Sequence, residues 1–191
     1  MTRGTPVPDF RRYFVPGGTF FFTLVTAARA PLFRDDRARS LLGRVMREER
    51  ERAGFTTVAV VLLPDHLHAM WTLPPDDADY SGRWQAIKAK FTSAWLASGA
   101  EEQAIPEGYD RQRRRGVWQP RFIEHTIRDE EDLCRHADYI HYNPVKHGFA
   151  RRSRDWPWSS FHRYVRSGDY PEDWGSVEPS SIGEVNSDLL E

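Results

Sequence analysis

A chain of 191 residues, 39% hydrophobic and 13% aromatic, has the size and composition of one folded domain with a substantial core, which excludes a disordered chain; its longest apolar run, Val58 to Leu63, excludes a membrane-spanning helix. Its single cysteine, Cys134, excludes an internal disulfide and a cysteine-rich zinc site, and Thr2-Arg3-Gly4 begins no apolar leader, so a cytoplasmic protein with no membrane partner is expected. The net charge of −1 conceals an asymmetry: residues 169–191 hold seven acids and no Lys or Arg, which leaves +6 on residues 1–168, a body able to hold a phosphate backbone.

Residues 1–18 read as an irregular arm, with Pro6, Pro8, Pro16 and Gly17-Gly18. Thr19 to Ala27, rich in Phe, Thr and Val, reads as a buried strand. Asp35 or Asp36 can cap the helix that follows, whose Leu41, Leu42, Val45 and Met46 keep a helical period until Gly54. Phe55 to Leu63 reads as a central strand, and Pro64-Asp65 turns it into an antiparallel partner beginning at His66. A second helix starts at Asp76 to Asp79 and carries Trp84, Ile87, Phe91, Ala94 and Trp95 as its buried stripe, with Arg83, Lys88 and Lys90 on more exposed sides.

Residues 98–116 are polar and Arg-rich and read as a long loop. Val117 to Glu124 reads as a fourth strand. Asp129 opens a helix with Glu130, Glu131 and Asp132 in its first turn, expected to end at Tyr142 or Asn143, before Pro144. The aromatics from Trp156 to Trp174 are expected to pack as a satellite cluster. The order strand, helix, strand, strand, helix, strand, helix is the split βαβ pattern of a ferredoxin-like α+β fold with a helix added after the last strand. Its antiparallel sheet is expected to have one face under helices and one free to build a site.

Two pieces of this chain could do chemistry. In Pro64-Asp65-His66-Leu67-His68-Ala69-Met70-Trp71-Thr72-Leu73, side chains two apart share a face, so Leu67, Ala69, Trp71 and Leu73 face a core while His66 and His68 point together to the other side. Two imidazoles so placed can grip one metal ion. On the late helix, Tyr139 and Asn143 lie one turn apart; an amide oxygen can serve as a third ligand and a tyrosine hydroxyl as a nucleophile toward a metal-bound phosphate. Each piece also has an ordinary reading: polar strand surface, turn chemistry before proline, half-buried packing. A non-catalytic single-strand-binding module on a ferredoxin-like sheet therefore stays open at this point, as does a phosphoesterase that uses water.

The motif Pro64-Asp65-His66-Leu67-His68, followed by Tyr139-Ile140-His141-Tyr142-Asn143-Pro144-Val145-Lys146-His147-Gly148, resembles the REP-associated tyrosine transposases of the HUH single-strand transposase superfamily. The resemblance extends through Arg12 to Gly18, Trp118 to Asp129 and Asp155 to Phe161, up to about Trp174. It implies one catalytic domain over residues 1–174; residues 175–191, by their acidic composition, are expected to be a disordered tail. It implies His66, His68 and Asn143 as ligands of Mg²⁺ or Mn²⁺, and Tyr139 as the nucleophile that forms a 5′-phosphotyrosine link. Tyr142 is the competing nucleophile, and His136 the candidate general base. The implied partner is a single-stranded DNA hairpin with a flanking guide sequence, cleaved and rejoined by a monomer or homodimer. Candidates for phosphate contacts are Arg11, Arg12, Arg83, Lys88, Lys90, Arg111, Arg113, Arg114 and Arg115.

Overall fold

The computed structural model describes residues 15–104 and 115–184. Four strands, β1 (Thr19–Val25), β2 (Thr56–Leu62), β3 (His66–Thr72) and β4 (Ile123–Thr126), pair antiparallel in the order β2-β3-β1-β4. This is the strand order of the expected ferredoxin-like sheet. The two central strands are buried on both faces.

Alternation along β1 and β3 sorts their side chains into two cores. Phe20, Phe22 and Leu24 join Leu67, Ala69 and Trp71 under α1 (Asp36–Ala53) and α2 (Tyr80–Ala97). Trp71 stacks on Trp84 at 3.9 Å between ring centres and on Phe55 at 4.1 Å. On the reverse face, Phe21, Ala59, Val61 and Met70 pack against Ala137, Tyr139 and Ile140 of α3 (Glu130–Lys146). The expectation of a free face is therefore corrected. Four apolar side chains on that face would otherwise meet water, and α3 covers them.

The caps follow the sequence. Asp35 accepts a hydrogen bond from the Arg37 backbone N–H at 2.7 Å, Asp79 from Gly82 at 2.8 Å and Asp129 from Asp132 at 2.8 Å. Gly54 closes α1 in the left-handed region at φ 71°, where a β-carbon is disfavoured. Two boundaries differ from expectation. The fourth strand splits into a single bridge, Trp118 to Thr26, and β4 proper, because Pro120 between them has no N–H to pair. Helix α3 runs through Pro144 to Lys146, since proline in a last turn forfeits only its own donor and Asn143 still accepts from His147 N–H at 3.0 Å.

After α3, Phe161, Tyr164, Tyr170 and Trp174 form the expected satellite cluster around α4 (Phe161–Ser167) and His141. Contacts continue past the boundary expected at residue 174. Ile182 is buried in the α3 core and the Ser181 hydroxyl donates to Asp138 at 2.6 Å. Replacing Trp71 with alanine removes the middle ring of a three-ring stack; we expect a loss of about 3–5 kcal/mol, read as a lowered midpoint in urea unfolding followed by circular dichroism.

Candidate active site

Both histidines of β3 point into the α3 side of the sheet and are buried. Their rings stand edge to face with centres 5.0 Å apart. Each is held by its Nδ1. His66 Nδ1 hydrogen-bonds the Asp65 carboxylate at 2.7 Å, and His68 Nδ1 the Thr23 hydroxyl at 2.8 Å. A carboxylate only accepts, so in the neutral ring His66 carries its proton on Nδ1 and leaves the Nε2 lone pair bare. The β1–β3 register sets Thr23 directly opposite His68. The Nε2 atoms of both rings are buried and make no hydrogen bond among the described residues.

Helix α3 brings the second half. The Tyr139 ring is buried, 5.2 Å from the His68 ring and 6.0 Å from that of Phe21. Asn143, one turn on, is 0% exposed, and neither its amide nitrogen nor its oxygen has a hydrogen-bond partner among the described residues. Leaving such an amide dry and unbonded costs on the order of 1–3 kcal/mol, which is the signature of atoms meant for another ligand. Lys146 sets its ammonium 5.0 Å from the centre of the Tyr139 ring, and the His147 ring lies 5.2 Å from His66. Tyr142 faces elsewhere. It is half-buried against the C-terminal segment, and burial, with Glu178 beside it, pushes its phenol up.

Electrostatics favour metal-ready imidazoles. Burial, then the nearby His66, His147, Lys146 and Arg29, holds His68 well below the usual histidine range, so the ring is neutral. Burial works to raise the Asp65 carboxyl, but its hydrogen bond with His66 Nδ1 and the Arg29 guanidinium, 3.1 Å away, outweigh it and bring it to about 2. Asp65 is therefore ionised and able to orient His66.

A second cluster sits beside the first. The Asp132 carboxylate on α3 receives His125 Nε2 from β4 at 2.9 Å and both the backbone N–H and Nε of Arg128 at 3.1 Å, while His136 Nδ1 donates to the Asp132 backbone carbonyl at 2.8 Å. The His125 and His136 rings stack at 4.5 Å, and His136 also touches Phe21 at 5.1 Å. The ligand atoms of His125, Asp132 and His136 lie within 4.8 Å of one another, close enough to hold a metal ion. The carboxylate already accepts from three protein donors, one of them a guanidinium nitrogen, and this ties β4 to the first turns of α3. Burial opposes the Asp132 charge, yet the bonds from His125 and Arg128 prevail and hold the carboxyl well below the usual range. Burial lowers His136, partly offset by its bond to the Asp132 carbonyl. His136, expected on the helix surface, is instead buried with Nδ1 committed to Asp132.

The expected phosphate-binding cations are scattered. Arg11, Arg12, Arg111, Arg113 and Arg114 lie outside the described residues. Arg83, expected on an exposed side, is 5% exposed; it grips Asp77 at 2.6 Å and the Ala53 carbonyl at 2.8 Å, because its position on α2 faces the end of α1. Lys88 donates to the Gln119 carbonyl, Lys90 pairs with Glu49 at 3.1 Å and Arg115 with Glu102 at 2.6 Å.

No family model matches the chain. It is 41% identical over 177 residues to the REP-associated tyrosine transposase of Escherichia coli (strain K12), covering 92% of this chain and 96% of that protein. The chain belongs to the REP-associated tyrosine transposase family. A relative from Haemophilus influenzae, described by the same family name, is 41% identical over 167 residues, 87% of this chain and 93% of its own. A solved REP-associated tyrosine transposase bound to a REP hairpin matches with a TM-score of 0.74 and 38% identity over 92% of this chain and 96% of that one.

For this REP-associated tyrosine transposase, sequence reasoning missed Thr23 and the Asp132 cluster. Thr23 is legible only once the β1–β3 register is known; His125 and Asp132 meet only when β4 pairs with β1. Since the folded state depresses the Asp132 carboxyl below its ordinary 3.8, the stability it contributes is present above about pH 4 and is lost as pH falls through the folded value. The chain should exceed its Asp132→Asn variant in urea midpoint at pH 7, and the margin should shrink at pH 3.

Proposed function

We propose that this chain is an HUH-type DNA strand transferase that cleaves and rejoins single-stranded DNA at REP-type hairpins through Tyr139. The observation that carries the reading is three buried atoms with no hydrogen bond among the described residues, His66 Nε2, His68 Nε2 and Asn143 Oδ1, with the His68 ring 5.2 Å from that of Tyr139. Their chemistry fits a divalent cation: two neutral imidazole nitrogens and an amide oxygen suit Mn²⁺ or Mg²⁺. Such an ion, when bound, supplies Lewis acidity toward a phosphate oxygen.

The chain's own residues do the rest. Asp65 and Thr23 hold the imidazoles in orientation. Tyr139 presents its hydroxyl to the scissile phosphorus; an O–P bond forms to the phenolic oxygen, the phosphodiester bond to the 3′ oxygen breaks, and that oxygen leaves as a hydroxyl. Lys146 places positive charge beside the attacking ring as negative charge builds on the phosphate. The bond energy is retained in the phosphotyrosine, so a 3′-hydroxyl can reverse the attack and rejoin strands. The relative bound to a REP hairpin supports a hairpin as substrate; a single-stranded flank beside it is part of the proposal. Phosphate contacts fall to Lys88, Lys90 and Arg115, which would exchange their present partners, and to Arg11, Arg12, Arg111, Arg113 and Arg114. Arg83 is left out because its guanidinium is buried on Asp77. The reaction is assigned to the cytoplasm and to one catalytic domain.

Incubation with a labelled REP-type hairpin and Mn²⁺, followed by a denaturing gel, should reveal a protein–DNA adduct. Tyr139→Phe should abolish it, Tyr142→Phe should retain it, and a chelator should prevent it. An adduct that survives Tyr139→Phe, or forms equally in the presence of chelator, defeats the assignment. Thr23→Val leaves His68 without its orienting hydroxyl; we expect a Mn²⁺ titration of adduct formation to shift to concentrations roughly 10–100-fold higher.

A further inference from the structure

A cleft of about 330 Å³ opens on the α1 side of the sheet, away from Tyr139, between α1, the edge strand β2 and the segment that follows Trp156. Its floor is apolar: Leu42 and Met46 from α1, Val60 and Leu62 from β2. At its mouth stands Trp158, 37% exposed, an unusual position for the largest side chain. Among the described residues no acidic side chain lines the cleft, whereas four arginines do.

Those arginines divide by their commitments. Arg39 lies over the Trp158 ring at 3.9 Å while donating to the Phe33 carbonyl at 2.6 Å, and Arg163 donates to the Thr57 carbonyl at 3.3 Å. These two hold the walls. The segment itself is pinned to β2, with Leu62 N–H donating to the Trp158 carbonyl at 2.9 Å and Val60 N–H to the Ser160 hydroxyl at 2.9 Å. Trp158 is thus presented by a fixed backbone. Arg47 and Arg50 are exposed, one turn apart on the α1 rim, and have no acidic partner among the described residues. Helical neighbours at this spacing keep their β-carbons about 5–6 Å apart, so both can serve consecutive anionic groups of one ligand.

An exposed indole beside an apolar floor takes a flat ring; two unopposed guanidiniums take phosphates. One ligand has both in alternation, and the cleft is the size of one of its units. We propose that this cleft seats a nucleotide of single-stranded DNA, the base against Trp158 and the floor, the flanking phosphates on Arg47 and Arg50. This rests on the reading of the chain as a single-strand DNA transferase, and adds a contact on the face of the sheet opposite the reacting phosphate. It is an anchoring site: it raises affinity and sets where the strand leaves the protein, without entering the chemistry.

The test is fluorescence anisotropy of 5′-fluorescein-labelled (dT)12 with the full chain across a salt series, beside a mixed-sequence 12-bp duplex. Arg47→Ala/Arg50→Ala should flatten the dependence of log affinity on log salt by about 1.4, for two phosphates at roughly 0.7 each. Trp158→Ala should weaken (dT)12 roughly tenfold, Trp158→Phe should restore most of the loss, and duplex affinity should change little with either. Circular dichroism and adduct formation at saturating hairpin DNA should remain at the level of the unmodified chain. Unchanged (dT)12 affinity and salt slope in both variants, or an equal loss for the duplex on Trp158→Ala, would overturn the proposal while adduct formation by Tyr139 stood. Loss of the adduct assay's dependence on Tyr139 with the (dT)12 effects intact would instead remove the catalytic reading.

Discussion

Everything at the candidate site depends on α3 lying flat against the histidine face of the sheet. The contact is apolar. Phe21, Ala59, Val61 and Met70 on three strands meet Ala137, Tyr139 and Ile140 on the helix. Burial of such a surface is non-directional, so on its own it would tolerate rotation of the helix by several degrees. The Asp132 cluster adds direction at one end, tying α3 to His125 on β4. At the other end, His141 Nε2 meets the Ser160 hydroxyl at 2.8 Å, and Ser160 in turn bonds the backbone of β2. Between those two fastenings sits Tyr139. The helix is therefore clamped at both ends of the turn that carries its phenol, and the phenol's position beside His68 follows from packing rather than from any bond between them.

The same covering makes the site dry. Burial drives the His68 imidazole to its neutral form, and the amide of Asn143 is sealed without a partner. A protein seldom leaves such atoms unbonded in its interior, because each forgoes the bonds it made in water. Two buried imidazoles with their centres 5.0 Å apart, one of them 5.2 Å from a tyrosine ring, separate this face from the opposite one, where Leu67, Ala69 and Trp71 of the same strand simply fill a core. One strand thus presents two different faces by alternation alone: Leu67, Ala69 and Trp71 join the core under α1 and α2, while His66, His68 and Met70 turn toward α3.

Charge is distributed in keeping with a nucleic-acid partner, although the total conceals it. Several of the cations singled out by sequence are engaged in the structure: Arg83 with Asp77, Lys90 with Glu49, Arg115 with Glu102. The arginines of α1 tell a different story. Arg47 and Arg50 stand on a rim with no acid paired to them among the described residues, next to an exposed indole. A count of basic residues cannot make this distinction. Whether a guanidinium is available depends on which carboxylate the fold brings near it.

The sequence alone determined the elements and their faces. Alternation in β1 and β3, the helical period of α1 and α2, the helix starts at Asp35 or Asp36, within Asp76 to Asp79 and at Asp129, and the spacing of Tyr139 and Asn143 are all properties of residues a few positions apart, where periods of 2 and 3.6 decide which side chains share a side. The tertiary structure alone decided that Thr23 stands opposite His68, that α3 closes over the face expected to be open, that His136 is buried on Asp132, that Arg83 is spent on an internal pair, and that Trp158 shares a cleft with Arg47 and Arg50. Each of these joins residues far apart in the chain. Such meetings are set by strand register and by the burial of surfaces contributed from distant segments, neither of which any local pattern of residues encodes.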